Sequence, residues 1–269
     1  MNKRENITVS DARKTYLKKL RKNKIFVISA RILILVLFFA LWQIFADLNI
    51  INVFVFSSPL KMINTAIELI NTGSLFYHIL ITFYEAFAGF LIATILGFLI
   101  AVILWWNEYL RNVLEPYLII LNSLPKVALG PIIIIWFGAG QKAIIVMAIL
   151  IMIIITTISL LNAFVLCDKN KILLMKSMGA NKWQILTKLV LPNALSDFMS
   201  VLKINVGMTW VGTIMGEYLV SKAGLGYLIV YGSQVFKLDL VMTSIIILCL
   251  LAGIMYGGVC LIEKLLKQK

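Results

Sequence analysis

Six stretches of the chain, residues 25–46, 79–106, 116–137, 143–165, 204–220 and 240–262, are predominantly apolar. A helix needs roughly 20 such residues to cross about 30 Å of hydrocarbon. Inside a bilayer each backbone polar group must be satisfied by the protein itself, which leaves helices or closed barrels. None of the six runs shows the alternation of a strand, so the expected fold is an all-α integral membrane protein with six transmembrane helices. With 61% of 269 residues apolar and 14% charged, too few polar residues exist to cover a soluble domain. The same composition excludes a disordered chain, a collagen repeat and a small disulfide-stapled domain. The first run is too long for a signal-peptide core and no small-residue cleavage site follows it, so it counts as a span.

The net charge is +13, and the cations are bunched beside the apolar runs. Nine Lys and Arg fall within residues 1–24, six within 168–203, and Lys264, Lys267 and Lys269 in the tail. The opposite-side segments hold only Lys61, Lys142, Lys222 and Lys237. This asymmetry predicts that both termini are cytoplasmic, which an even number of spans permits. The expected organisation is a basic cytoplasmic N-terminal segment (1–24), a six-helix membrane domain (25–262) with a cytoplasmic loop (168–200), and a short cytoplasmic tail (263–269). Cations arranged in this way face lipid head groups rather than nucleic acid. Residues 12–24 read either as a surface helix or as a basic tail. Pro59 suits the first turn of a short helix over 59–70.

The loop over residues 168–200 is too polar to span and too patterned for a slack linker. Gly179 divides it, ending one short helix at a left-handed position, and Asn181 can cap a second that runs to Leu191. Leu191-Pro192 is expected to stop that second helix, because the residue before a proline is pushed out of helical geometry. Two short helices held under a bilayer make a docking surface and bear no catalytic constellation.

At this loop the chain resembles the permease subunits of binding-protein-dependent ATP-driven importers. Their cytoplasmic motif is Glu-Ala-Ala, three residues, Gly, nine residues, then Ile-x-Leu-Pro. Here Gly179 is followed at that spacing by Leu189-Val190-Leu191-Pro192. The text Ser177-Met178-Gly179-Ala180-Asn181-Lys182-Trp183-Gln184 is similar to the nitrate/sulfonate/taurine branch. Gly89-Phe90, Ile135-Trp136-Phe137-Gly138, and Glu217-Tyr218-Leu219 leading to Gly224-Leu225-Gly226-Tyr227 follow the same register. The resemblance implies a type I importer permease fold in a bacterial inner membrane. It also implies a second permease copy, two ATPase subunits that bind the ATP and Mg, an external substrate-binding protein, and a sulfonate-, taurine- or nitrate-like solute. It places ATPase coupling on Leu173, Leu174, Met175, Lys176, Gly179, Ala180, Trp183 and Pro192.

The chain departs from that pattern in three places. Leu173-Leu174-Met175 stand where the family has Glu-Ala-Ala, so an apolar face either docks the ATPase by burial or packs on the membrane helices. Glu85 stands where the family often has arginine, and Lys126 where a second proline commonly follows Pro125. Glu85, Lys126 and Glu217 fall at depths where an ionisable group must be paired or hydrated. Glu85 and Lys126 therefore read as a structural pair or, with Pro125 and Glu217, as the translocation path. Pro125 and Gly130-Pro131 break the third span, which is tolerated only beside protein or water. Gly212-x3-Gly216 and Gly253-x3-Gly257 permit close helix contact and suggest a dimer seam.

No Gly-Lys dipeptide occurs, so a phosphate-binding loop is missing, and His78 is the only histidine. That count removes a histidine-based metal site and argues against a Ser-His-Asp triad, since a lone histidine at an outer helix end is usually an interfacial side chain. No cofactor is expected in this chain, and ATP hydrolysis is assigned to another polypeptide. A neutral or cationic solute, such as a thiamine-precursor pyrimidine, is the alternative cargo. A secondary transporter is the alternative machine, but it predicts an internal repeat that the chain lacks.

Overall fold

The computed structural model describes residues 11–267, and helices account for almost all of them. Lys3, Arg4 and Lys269 of the predicted basic termini lie outside the described residues. The chain forms two compact units that part between Ile63 and Asn64.

The first unit begins with α1 (Asp11–Asp47), 37 residues without a break. At 1.5 Å per residue that is ~56 Å, well beyond a bilayer's hydrocarbon. The basic residues from Arg13 to Lys24 thus extend the first span rather than folding as a separate surface helix. Asn52 caps the single turn α2 (Val53–Phe56), its side chain accepting from the Phe54 N–H. The third helix, α3 (Pro59–Asn71), starts at Pro59 as expected. Gln43 ties its start to the end of α1, since its amide donates to Asp47 at 2.7 Å and accepts from the Leu60 N–H at 3.1 Å.

The second unit contains α4 (Ser74–Trp106), α5 (Glu108–Ser123), α6 (Gly130–Phe137), α7 (Gln141–Val165), α8 (Lys169–Ser177), α9 (Lys182–Ile185), α10 (Leu191–Asn193), α11 (Leu195–Val220), α12 (Leu225–Gln234) and α13 (Leu238–Lys267). Among the described residues, α1, α4, α7, α11 and α13 are long and apolar enough to cross a membrane. The expected third span, 116–137, is divided: α5 and α6 meet at 87° and make a sixth span only if taken together. The break sits at Leu124-Pro125. Leu124 adopts extended angles (φ −66°, ψ 138°), as a residue before proline must, and one 3-10 turn over Lys126–Leu129 leads into α6.

The core of this unit is α7, held between α4 and α11. Glycines set the separation. A Cβ on Gly89 would lie 2.8 Å from Ala148 Cβ, and one on Gly97 would lie 2.7 Å from Thr156 Cβ. On the opposite side, a Cβ on Gly212 would lie 2.6 Å from Ala148 Cα, and one on Gly216 would lie 2.9 Å from Ile144 Cα. Van der Waals packing is the main attraction between helices in lipid, so backbones this close replace a hydrophobic driving force. Buried hydrogen bonds add to it. Asn205 of α11 donates to Thr156 Oγ1 of α7 at 2.8 Å, and Thr157 Oγ1 of α7 donates to the Gly97 carbonyl of α4 at 3.4 Å.

The expectation that Gly212 and Gly216 form a dimer seam is corrected by this packing: both are consumed inside the chain, against α7. Gly253 and Gly257 on α13 face open space. Gly212→Leu should therefore push α11 off α7 and destabilise the folded chain by about 1–3 kcal/mol, the usual penalty of overpacking. Gly253→Ala should leave the same thermal unfolding curve in detergent unchanged.

Candidate functional site

Two places in the second unit carry the polar and exposed apolar groups that a packed bundle does not need. They lie at opposite ends of α4, α7 and α11.

At one end, α12 starts with backbone N–H groups that no helical carbonyl can satisfy. Three remote side chains accept them. His78 Nδ1 takes the Gly224 N–H at 2.9 Å, Thr82 Oγ1 takes the Leu225 N–H at 2.7 Å, and Glu217 Oε2 takes the Gly226 N–H at 2.5 Å. The His78 ring also stacks on Tyr227, with centroids 6.0 Å apart. A carboxylate is well placed at a helix N-terminus, where the dipole is positive. The glycines make room for it: a Cβ on Gly226 would sit 2.6 Å from Glu217 Oε2, and one on Gly224 would sit 2.6 Å from its Cδ. Gly224 also holds φ +118°, which disfavours a side chain independently of space. The Gly224-Leu225-Gly226-Tyr227 text is thus the imprint of a carboxylate cap.

Glu217 is 1% exposed and Glu85 is 0% exposed, and their carboxyl groups are neighbours. Apart from each other, the Glu85 oxygens and Glu217 Oε1 meet no hydrogen-bond donor of the described residues. The expected Glu85–Lys126 pair does not form. Lys126 belongs to the 3-10 turn beyond the α5 break, and its Nζ turns back to donate to the Asn122 carbonyl at 3.1 Å. Glu85 instead lines a cavity of about 260 Å³ together with Tyr77, Gln141, Ile144 and Lys222. Pro125 and Lys126 do not line it. The structure brings Glu85 and Glu217 together and leaves Pro125 and Lys126 apart from them.

At the other end, Asp168 caps α8 by accepting from the Asn170 N–H at 2.9 Å. The helix closes in a Schellman arrangement: the Gly179 N–H reaches the Lys176 carbonyl and the Ala180 N–H the Met175 carbonyl, each at 2.9 Å. Gly179 holds φ +82°, the left-handed position expected of it. Asn181 and Gln184 then form a reciprocal capping box that starts α9. The expected stop at Leu191-Pro192 is corrected. Leu191 keeps helical angles (φ −63°, ψ −46°), and residues Leu186–Val190 widen into a π turn in which the Leu191 N–H bonds the carbonyl of Leu186. In a regular α-helix the proline ring would strike the carbonyl of Lys188, four residues back. The wider turn accommodates Pro192 without ending the helix.

The two halves of this segment are buried differently. Ile185, Leu186 and Val190 sit in a core with Leu104 of α4 and Leu160 and Phe164 of α7. Met175 and Ala180 pack against the same cluster. Leu173 and Leu174 are 63% and 61% exposed, and Met178 and Trp183 are exposed beside them. Lys176 lines a small hollow with Trp105, Ile172 and Ala180. Lys182 Nζ donates to the Trp106 carbonyl and lies 5.4 Å from the Trp106 ring centroid. Trp183 leans on the same ring, 6.3 Å away. Sequence reading had no signal for His78 or Thr82 as caps, or for Trp106 as the anchor of Lys182. Each contact joins residues far apart in the chain.

Long apolar helices, with a helical turn rooted in their core and exposed outward at one end, mark an integral membrane protein. Residues 93–266 match the family described as binding-protein-dependent transport system inner membrane component, and the chain belongs to that family. It is 30% identical over 232 residues to the putative aliphatic sulfonates transport permease protein SsuC of Bacillus subtilis, covering 86% of this chain and 84% of that one. It is 27% identical over 227 residues to the formylaminopyrimidine transport permease protein ThiX of Halalkalibacterium halodurans, covering 84% and 90%. Among solved structures, an inward-facing MetNI methionine ABC transporter chain matches with a TM-score of 0.62 at 20% identity, covering 72% of this chain and 96% of that chain. The chain is a multi-pass inner-membrane permease of an ABC importer, of the sulfonate/taurine-type branch. It is not itself an enzyme, ATP hydrolysis belonging to a separate subunit.

With no Glu85–Lys126 contact, the stability losses of Glu85→Gln and Lys126→Met should add in the double mutant to within about 0.5 kcal/mol. A double-mutant cycle from thermal unfolding measures this. A coupling of several kcal/mol would restore the pair.

Proposed function

We propose that two copies of this chain form the translocation path of an importer driven by two ATPase subunits and fed by an external substrate-binding protein. Both termini and the α8–α10 segment face the cytoplasm in this reading. The ATPases, which hold the ATP and Mg, dock on α8, and their closure pushes the Gly179 turn. Ile185, Leu186 and Val190 pass the push to α4 and α7, and the helices rock between inward- and outward-open states. The observation that carries this reading is the exposure of Leu173 and Leu174 on a helix whose other contacts are rooted in the core. Packing on the membrane helices accounts for Met175 alone. An apolar anchor at the centre of a docking face suits burial against a partner protein.

The cargo in this reading is a small solute, most simply a sulfonate-, taurine- or nitrate-like anion. A neutral or cationic solute is favoured by a separate observation, the buried acidic pair of Glu85 and Glu217 in the membrane domain.

Leu174→Asp should release the ATPase, because docking would bury a carboxylate without a partner. Co-purification of the ATPase with the tagged permease measures this, and undiminished recovery would argue for packing alone. Gly179→Val should abolish ATP-driven uptake while the protein stays in the membrane, since a β-branched residue at positive φ is strained. Gly179→Asn should retain much of the uptake, because asparagine tolerates that conformation and no atom lies within 4 Å of the site for its Cβ.

A further inference from the structure

The end of α4 beside the α8–α9 turn gathers cations and indole rings for which the chain supplies no anion. Trp105 and Trp106 close the apolar span of α4, the level at which tryptophan meets lipid head groups. Between them and the turn lies a hollow of about 220 Å³, lined by Trp105, Ile172, Ala180 and Ile185 and by two cations, Lys176 and Lys182. Lys182 keeps its ammonium on the Trp106 carbonyl and near the Trp106 ring, which leaves donors of its three unused. Lys176 has no hydrogen-bond partner among the described residues. Neither lysine meets a carboxylate there: Glu108 is paired with Arg111 at 3.0 Å, and Asp168 caps α8. Two cations thus line one small cavity without a counter-ion.

A second cavity lies farther along the same face of α4. About 360 Å³ in volume, it is lined by Ile95, Phe98 and Leu99 of α4 and by Leu191, Leu195 and Phe198 of α10 and α11, and Thr94 is the one polar residue on its wall. Phe98 and Trp105 are seven residues apart, two helical turns, so they share a face of α4 with ~10 Å between them. Ile185 borders the first cavity and Leu191 the second, at either end of the π turn. Half of a bilayer's hydrocarbon is ~15 Å deep, so a step of ~10 Å from the level of the tryptophans toward the middle of the span leads from head groups into acyl chains. A cationic hollow at the first level and an apolar groove at the second match the two parts of one lipid. A small soluble anion would fill only the hollow.

We infer that these two cavities form a binding site for one anionic phospholipid, its phosphodiester between Lys176 and Lys182 and an acyl chain along α4 in the groove beside Phe98. Charge-assisted hydrogen bonds from the two ammonium groups hold the phosphate, and each lysine also gains from the negative potential of an anionic leaflet. The lipid joins α4 to the α8–α9 turn, since its head group touches both and its chain stays on the helix. The inference goes beyond the permease reading and depends only on the chain lying in a bilayer.

The test uses the full chain, stripped of lipid in detergent, with binding counted by native mass spectrometry and checked by thermal shift. The probes are phosphatidylglycerol, phosphatidylcholine with the same acyl chains, and glycerol 1-phosphate, which has the phosphate and no chains. One phosphatidylglycerol should remain bound and raise the melting temperature, and the other two probes should do neither. Lys176→Gln combined with Lys182→Gln should weaken phosphatidylglycerol about tenfold or more, the loss of two charge-assisted hydrogen bonds. Lys169→Gln combined with Lys171→Gln removes the same charge from α8 outside the hollow and should leave the affinity unchanged. Lys176→Gln alone has no internal contact to lose, so it should weaken the lipid while the lipid-free melting temperature stays as in the parent chain. Leu195→Trp should narrow the groove and weaken the lipid several-fold. Equal retention of phosphatidylcholine, binding of glycerol 1-phosphate as tight as that of phosphatidylglycerol, or an equal loss in the Lys169 and Lys171 control would overturn the site. So would undiminished phosphatidylglycerol binding in Leu195→Trp or in the Lys176 and Lys182 double variant. If that double variant keeps the lipid but loses the co-purifying ATPase, the two lysines serve a protein partner and the lipid site falls.

Discussion

The contact on which the second unit depends is the seating of α7 between α4 and α11 at backbone distance. Gly89 and Gly97 admit it from one side and Gly212 and Gly216 from the other, with Ala148 shared by both seams. Helices that approach so closely cannot slide or rotate independently, because any added methyl group would have to displace backbone. Both functional ends are built on this stack. The His78, Thr82 and Glu217 caps come from α4 and α11, and the core that roots Ile185, Leu186 and Val190 comes from α4 and α7. The two ends are thus joined through packed helices rather than through a flexible linker.

The two ends solve the problem of exposed helix termini in different ways. Around Gly179 the solution is local: a Schellman turn, a capping box and a π turn, all written within about twenty residues of chain. Around Gly224 it is remote, since the N–H groups of α12 are accepted by side chains up to 146 residues away. Local capping lets the α8–α9 turn present Leu173 and Leu174 outward while its other face stays rooted. Remote capping ties three helices together at one point, and it places a carboxylate in the core beside Glu85. The buried carboxyl pair is therefore a by-product of how α12 is held, combined with one acidic side chain that the cap does not require.

How much of this could be read from the chain follows from the range of the interactions. The apolar runs, the breaks at Pro125 and Gly179, the helix start at Pro59, the cap at Asn181, and the motif spacing over residues 179–192 are properties of neighbours in sequence. Each appeared where the residues put it, because steric limits on φ and ψ and the length needed to cross hydrocarbon act on contiguous residues. Among the local expectations, the stop at Pro192 failed because a helix facing the Leu104 and Phe164 core gains enough by continuing to adopt a π turn. Burial of Leu186 and Val190 overrode a backbone preference.

The remaining features required the tertiary structure. Depth along a helix placed Glu85, Lys126 and Glu217 at levels that made a Glu85–Lys126 pair plausible, but depth leaves the direction of each side chain open. Only packing shows that Lys126 turns back to Asn122 and that Glu85 meets Glu217. Likewise the pattern of Gly212 and Gly216 says that something approaches closely, without saying whether it is another copy or α7. The sequence by itself determined that the chain is a helical membrane protein with a rigid turn at Gly179, since those outcomes follow from hydropathy and local sterics. The tertiary structure decided which charges meet, which glycines are consumed internally and which leucines remain exposed, since those depend on how helices rotate about their axes when they pack.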